Sequence, residues 1–180
     1  MKHRMQRVIK MSFEFEKEKI LESNVVDTLR AKSLTLSFAE SCTGGMCAQR
    51  IVSVSGASEI FLGGVVSYAN SAKTGILGVK EATLSVYGAV SEETAREMAR
   101  GARLVFSSDI AVSVSGIAGP GGGTEQKPVG TVCFGISSVL GEYSETVHFK
   151  NDGREKIRTA AADHALALVC EQAEKLVTNE

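Results

Sequence analysis

The sequence predicts an α/β protein, a three-layer α/β/α sandwich around a mixed, mostly parallel sheet that ends in a β-hairpin and a C-terminal helix. Short apolar runs with the alternation of strands are interleaved with longer segments that repeat apolar residues at helical spacing. This order is typical of a sheet with helices on both faces. The last two strand-like runs are separated only by a turn at Leu140-Gly141-Glu142, which predicts the hairpin.

The first half of the chain predicts two strands and three helices. In chain order these are a helix from about Glu14 to Lys32, a strand at Leu34–Ala39, a helix at Met46–Val54, a strand at about Gly63–Tyr68 and a short helix that carries Lys73. Asn70 and Ser71 are suitable N-cap residues for the short helix. The chain from there to Gly88 is predicted as a connector.

The second half predicts a strongly amphipathic helix, three strands and a final helix. Ser91, followed by Glu92 and Glu93, is expected to open the amphipathic helix. Its predicted buried face comprises Ala95, Met98, Ala99, Ala102, Val105 and Phe106. The predicted strands are Asp109–Ser115, Gly130–Ser138 and Tyr143–Phe149. The final helix is expected to begin near Asp152, with Glu155 as its capping-box partner.

Length and composition predict one domain in the cytoplasm. We expect residues 1–12 to be a frayed leader and residues 13–180 to form one domain, because 180 residues with 43% hydrophobic content supply one sizeable core. The 20 basic and 21 acidic residues give a net charge of -1, so no strong overall field attracts nucleic acid or a membrane surface. A charged segment follows the basic N-terminus, so neither a signal peptide nor a spanning segment is predicted.

The cysteines and histidines do not predict a metal site. The four cysteines lack CxxC spacing, and the three histidines lie far from them in sequence. We therefore expect no metal and reduced thiols.

The segment AESCTGG (39–45) lies where a strand pattern changes to a helical one, and it offers a serine nucleophile. A catalytic serine needs a base and donors that stabilise an oxyanion. If the helix begins near Thr43, the free amides of Gly44, Gly45 and Met46 would supply those donors, so the substrate contacts predicted here are Glu40, Thr43, Gly44 and Gly45. The alternative is that Ser41 and Thr43 only cap the helix.

Lys73 is the candidate base, because His148 and His164 lie within predicted secondary structure and are more typical of packing residues. It falls in the first turn of its predicted helix, where the helix dipole should lower the pKa of a lysine. Tyr68, at the end of the preceding strand, is the candidate to relay a proton or to orient Lys73. The alternative is that Lys73 is a solvated surface charge and Tyr68 a rim aromatic.

The segment from Gly116 to Pro128 is rich in glycine and is a candidate anion site. Its amides could cradle a phosphate or carboxylate, with Gly116, Gly119, Gly121 and Gly122 as the predicted contacts, although neither common nucleotide motif is present. Arg154, at the start of the last helix, could bind phosphate through two parallel hydrogen bonds. The alternatives are a tight surface loop and a surface ion pair.

Five segments together resemble the C-terminal domain of the CinA family, which also occurs alone as nicotinamide-nucleotide amidohydrolase. They are AESCTGG (39–45), FLGGVVSYANSAK (61–73), GAVSEETAREMA (88–99), SVSGIAGPGGGTEQKPVGTV (113–132) and GREKIR (153–158). The resemblance covers about Leu34 to Leu176 in unbroken order. Larger CinA proteins also carry an N-terminal domain that resembles molybdopterin-binding domains, and no segment of this sequence resembles it.

The resemblance implies hydrolysis of the carboxamide of nicotinamide mononucleotide to nicotinic acid mononucleotide and ammonia, without a metal or an organic cofactor. By motif position it places the nucleophile on Ser41, the tyrosine and lysine on Tyr68 and Lys73, and the arginine on Arg154. It also implies a homo-oligomer. The competing interpretations are a non-catalytic nucleotide-binding protein linked to competence or DNA damage, and an amidase that acts on a different amide.

Overall fold

A computed structural model describes residues 21–176 of the chain. The strands are β1 (Leu36–Glu40), β2 (Phe61–Val66), β3 (Ile110–Gly116), β4 (Thr131–Ser138) and β5 (Gly141–His148). The helices are α1 (described over residues 21–31), α2 (Met46–Val52), α3 (Asn70–Leu77), α4 (Glu81–Tyr87), α5 (Glu92–Phe106) and α6 (Arg154–Lys175), with a 3-10 turn at Ala57–Glu59. The predicted leader 1–12 and the predicted helical residues 14–20 lie outside the described residues.

The five strands form one mixed sheet in the order β2-β1-β3-β4-β5. β1 pairs in parallel with both β2 and β3, whereas β4 runs antiparallel to β3 and to β5. Four of the five strands therefore run in one direction, and β4 with β5 forms the predicted hairpin. β1, β3 and β4 are buried along almost their whole length, while the edge strands β2 and β5 alternate between covered and exposed positions.

Helices cover both faces of this sheet, which confirms the predicted three layers. α1, α2 and α6 enclose the larger apolar core on one face, with Leu29, Phe38 and Leu166 among its fully buried members. On the other face α5 lies against β1, β3 and β4, with α3 and α4 packed beside it. The sheet is lined there by small residues, and a Cβ at Gly135 would lie 2.2 Å from the carbonyl oxygen of Ala95. Small side chains thus allow α5 to pack very close to the sheet.

The order of the strands opens a crevice at their carboxyl ends. β1 continues through α2 to β2 on one side, whereas the chain returns from β2 through α3, α4 and α5 to β3 on the other side. The chain leaves β1 through α2 toward β2, and it leaves β3 through the glycine-rich loop toward β4 on the other side. The connections that follow β1 and β3 therefore diverge, and neither one closes the gap between these strand ends. Such a switch point is where open α/β sheets bind their ligands.

Two predicted helix starts are wrong in detail. α3 is preceded by Ala69 as its N-cap, with no side-chain cap, so neither Asn70 nor Ser71 caps it. α6 begins after Gly153, whose φ of 104° and missing side chain rule out the predicted capping box. The Ser91 cap of α5 is confirmed, since its hydroxyl oxygen accepts from the amide of Thr94 at 3.2 Å.

The other differences concern α4 and the end of α5. The predicted connector before Gly88 contains α4, whose only buried residue is Thr83, so its sequence has little apolar periodicity. Val105 was assigned to the buried face of α5 but is 52% exposed. Phe106, also assigned to that face, is half-buried, and its ring lies so close to Gly63 that a Cβ there would meet it at 2.4 Å.

Candidate active site

Side chains from three strand ends meet in the crevice. Ser41 follows β1, Tyr68 follows β2, and Gly116 ends β3. They surround a pocket of about 210 Å³, to which Lys73 of α3 and Arg154 of α6 also contribute. The structure thus brings all three predicted catalytic residues together with the predicted arginine and one glycine of the glycine-rich loop.

Ser41 and Lys73 form a hydrogen-bonded pair. The Nζ atom of Lys73 lies 3.1 Å from the Oγ atom of Ser41 and 2.6 Å from the carbonyl oxygen of Ser67. The backbone connects these partners, because the amide of Ser67 donates to the carbonyl oxygen of Glu40 at 2.8 Å. Lys73 is therefore held between the ends of β1 and β2 and aimed at the hydroxyl of the serine.

Burial lowers the pKa of this lysine. Lys73 is only 1% exposed, and among the described residues it forms no salt bridge with a carboxylate. Desolvation by burial therefore lowers the pKa of Lys73 from its ordinary value of 10.5. The direction agrees with the sequence-based prediction, but the main cause is burial of the amine rather than the helix dipole. A neutral amine at this position can accept the proton of the Ser41 hydroxyl.

Tyr68 and Arg154 lie at the outer part of the pocket. Tyr68 is 65% exposed, and its hydroxyl lies 3.4 Å from Nη2 of Arg154. The Nη1 atom of Arg154 donates to the carbonyl oxygen of Gly119 at 2.8 Å, which fixes the guanidinium at the pocket. Tyr68 thus makes its described hydrogen bond with the arginine, whereas the prediction paired it with the lysine.

The N-terminus of α2 is not free to bind a substrate, which corrects the predicted oxyanion site. The carboxylate of Glu40 accepts hydrogen bonds from the amides of Gly45, Cys47 and Ala48 at 2.9, 3.2 and 2.9 Å. Glu40 itself is 1% exposed and does not line the pocket. The remaining predicted donors, the amides of Gly44 and Met46, donate to carbonyl oxygens within the turn at 3.2 and 3.3 Å.

The turn after Ser41 is shaped by three further predicted contacts, Thr43, Gly44 and Gly45, none of which lines the pocket. Thr43 is fully buried, so its hydroxyl is not available as a second nucleophile. Gly44 and Gly45 have φ values of 62° and 96°, in the left-handed region that favours glycine. They allow the chain to leave β1, expose Ser41 and enter α2 within five residues.

Only part of the glycine-rich loop reaches the pocket. Gly116 lines it, and Gly119 contributes the carbonyl group that holds Arg154. Gly121 and Gly122 are exposed and lie away from the pocket, so nothing in the geometry supports their predicted substrate contact. The loop therefore supports the arginine and forms one wall of the pocket.

Sequence reasoning missed several residues of the pocket. The additional lining residues are Cys42, Asn70, Ala89, Val90, Ser115 and Ala118. Ser115 precedes Gly116 and Ala118 follows it by two residues, so the rule that pointed to strand ends also applies to them. Ala89 and Val90 precede the cap of α5 and carry no chemical signal.

Burial raises the pKa of the Cys42 thiol to about 11, so this neighbour of Ser41 does not compete as a thiolate nucleophile.

Residues 21–176 contain neither a metal-binding cluster nor a membrane-spanning helix. In residues 21–176, no three histidine, cysteine or carboxylate side chains converge on a point where a metal ion would bind. Within the same part of the chain, none of the helices has both the length and the apolar character needed to cross a lipid bilayer.

Fold and site together define the class: a three-layer α/β domain with a serine and a buried lysine paired at its topological switch point. The sequence profile of the CinA C-terminal domain matches residues 18–173, and the chain belongs to that family. A CinA-like protein from Kosmotoga olearia is 50% identical over 152 residues, which cover 84% of this chain and 37% of that protein. The chain thus spans little more than a third of the curated relatives that it matches.

Solved structures of similar length share the fold. The competence/damage inducible protein CihA from Agrobacterium tumefaciens is 37% identical, with a TM-score of 0.83 over 86% of this chain and 94% of the solved one. The competence damage-inducible protein A from Klebsiella pneumoniae is 33% identical, with a TM-score of 0.85 over 89% and 99% of the two chains. Related domains of about this length are therefore folded without the additional residues that the longer curated relatives carry.

Proposed function

We propose that this protein is a serine amidohydrolase that converts nicotinamide mononucleotide into nicotinic acid mononucleotide and ammonia. The observation that carries the proposal is the distance of 3.1 Å between Lys73 Nζ and Ser41 Oγ, with the lysine buried and without a carboxylate partner among the described residues. A binding protein has no need for a buried base against a hydroxyl. The substrate comes from the sequence resemblance to nicotinamide-nucleotide amidohydrolases.

The proposed reaction begins with proton transfer from Ser41 to the neutral amine of Lys73. As the proton leaves, the Ser41 oxygen forms a bond to the carboxamide carbon, and the carbonyl oxygen becomes an oxyanion. The intermediate collapses when its C–N bond breaks, and the Lys73 ammonium gives its proton to the departing ammonia. Water then attacks the ester on Ser41, with Lys73 again taking and returning a proton, and the carboxylic acid product is released.

Arg154 is the proposed contact for the 5′-phosphate of the substrate. Its guanidinium is exposed at the edge of the pocket and is held there by the carbonyl oxygen of Gly119. The exposed hydroxyl of Tyr68 lies beside it, so both groups are available to an anionic ligand. With a net charge of only -1 on the whole chain, recognition of a phosphate must depend on such local donors. We propose further that the enzyme is cytoplasmic, needs no cofactor and acts as a homo-oligomer.

The direct test is release of ammonia from nicotinamide mononucleotide by the purified protein. The wild type should release one ammonia for each nicotinic acid mononucleotide formed, whereas Ser41→Ala should lose at least about three orders of magnitude in rate, because it lacks the nucleophile. Ser53→Ala, a hydroxyl at the end of α2, serves as the control and should retain wild-type activity. Ammonia from another amide alone would reassign the substrate, and tight binding without turnover would favour the binding-protein interpretation.

A further inference from the structure

Arg158, one helical turn beyond Arg154 on α6, contacts the turn that carries Ser41. Its Nε atom donates to the carbonyl oxygen of Cys42 at 2.9 Å, and its Nη2 atom donates to the carbonyl oxygen of Thr43 at 2.8 Å. One guanidinium thus holds two successive carbonyl groups directly after the proposed nucleophile. Neither the sequence reasoning nor the pocket lining includes this residue.

The turn needs such a support, because it must supply an oxyanion donor other than the helix amides. Glu40 already occupies the amides of Gly45, Cys47 and Ala48. The amide of Cys42 remains, since within residues 21–176 it donates to no backbone or side-chain oxygen and Cys42 lines the pocket. The backbone amide directly after a nucleophile is also a frequent oxyanion donor in serine hydrolases.

We infer that Arg158 is a positioning residue for the oxyanion donor. By holding the carbonyl groups of Cys42 and Thr43, it fixes the Cys42 amide beside Ser41, where this amide can donate to the oxyanion. This inference rests on the proposed acyl-transfer function. Arg158 does not line the pocket, and its described hydrogen bonds go to the carbonyl groups of Cys42 and Thr43, so it restricts rotation of the peptide groups that follow Cys42.

The role predicts a specific kinetic pattern. An interaction that is formed only with the oxyanion lowers kcat and leaves KM almost unchanged. Loss of one oxyanion donor typically costs 10²- to 10³-fold in kcat, so a misaligned donor should cost roughly 10- to 100-fold. The pH dependence of the rate should keep its wild-type midpoint, because Lys73 and its surroundings are not altered. A phosphate-binding role, as proposed for Arg154, would raise KM instead.

The experiment measures phosphonylation of Ser41 by a simple fluorophosphonate alongside the kinetics with nicotinamide mononucleotide. The Ser41 oxygen forms its bond to phosphorus, the P–F bond breaks, fluoride leaves, and the proton passes to Lys73. Wild type, Arg158→Met and Arg158→Lys are compared, with Arg103→Met as a control on α5 and with thermal melting to give the folded fraction. Arg158→Met should label roughly 10- to 100-fold more slowly per folded molecule, and Arg158→Lys, which keeps one donor, should fall between.

The outcomes separate the two claims. Labelling and kcat at wild-type levels in folded Arg158→Met would overturn the positioning role and leave the serine–lysine site intact. Wild type that is neither labelled at Ser41 nor releases ammonia would overturn the proposed function, and the inference with it. If Arg158→Met does not fold, Arg158→Lys is compared with wild type instead. Equal labelling rates of the two proteins would contradict the inference. A lower labelling rate in Arg158→Lys, with the midpoint of its pH dependence unchanged, would support it.

Discussion

Lys73 is the residue on which the proposed chemistry depends, because a lysine is a base only when it is neutral. Its side chain is 1% exposed, and its two described hydrogen-bond partners, Ser41 Oγ and the Ser67 carbonyl oxygen, carry no charge. Burial therefore lowers the pKa of this amine, and the neutral fraction at a given pH is larger than for an exposed lysine. The same group in a salt bridge would be a permanent cation and could not accept the serine proton.

Lys73→Met should lower kcat by roughly two to four orders of magnitude, because it keeps the length of the side chain and removes the base. In the wild type, kcat/KM should rise with pH through the lowered pKa of Lys73, since deprotonation creates the active form. Lys150→Met, at an exposed position beyond β5, is the matched control and should behave as wild type. A flat pH profile of the wild-type rate between about pH 6 and 9 would show that Lys73 does not act as a titrating base.

The same pKa shift affects stability. Between the lowered pKa of folded Lys73 and 10.5, the value of the unfolded chain, the unfolded state binds more protons, so stability rises with pH across that window. Lys73→Met removes the titrating group and should therefore remove this rise.

At the level of elements, the turn between β1 and α2 is stabilised by a buried carboxylate. Glu40 replaces a conventional N-cap and accepts from three amides at the helix start, where a negative charge is also favoured by the helix dipole. The turn cannot relax without losing these bonds. The element that carries Ser41 is thus fixed on the sheet side by Glu40 and on the α6 side by Arg158.

Glu40→Gln should lower the free energy of unfolding by about 1 to 3 kcal/mol. The glutamine amide has one acceptor oxygen, whereas the carboxylate has two, and the substitution also removes the negative charge. Glu59→Gln is the control, since that exposed carboxylate pairs, among residues 21–176, only with the partly exposed Arg30. It should change stability by less than about 0.5 kcal/mol. Urea unfolding measures both. Equal effects of the two substitutions would mean that the Glu40 bonds contribute no more than a surface pair.

The sequence was sufficient to predict the elements whose signals are local. Alternation and helical spacing gave the order of strands and helices, and the polar residues after the strands gave Ser41, Tyr68 and Lys73. The destination of the Glu40 carboxylate was not predictable, because it depends on how tightly Gly44 and Gly45 turn the chain. The contact of Arg158 with Cys42 joins residues 116 positions apart. Such contacts arise from the packing of α6 on the sheet and leave no pattern in the sequence.

At the scale of the whole molecule, the nearly neutral chain has no strong overall field, so selection of the proposed anionic substrate must depend on local contacts such as Arg154. Nicotinamide riboside, which lacks the phosphate, should be poorer than the mononucleotide by roughly tenfold to a few hundredfold in kcat/KM, since a charge-assisted contact contributes on the order of 1.5 to 3 kcal/mol. In Arg154→Ala this difference should shrink, whereas Arg100→Ala, at an exposed position on α5, should preserve it. Equal turnover of both substrates by the wild type would remove Arg154 as the phosphate contact.

A search for an acyl ester on Ser41 tests whether this serine is the nucleophile. The protein is mixed with nicotinamide mononucleotide, quenched in acid during the first turnovers and digested, and the peptide that contains Ser41 is examined by mass spectrometry. This peptide should gain the acyl group of the substrate, and the adduct should be absent from Ser41→Ala, which should also release no ammonia. Ammonia released at wild-type rates by Ser41→Ala would contradict nucleophilic catalysis by Ser41.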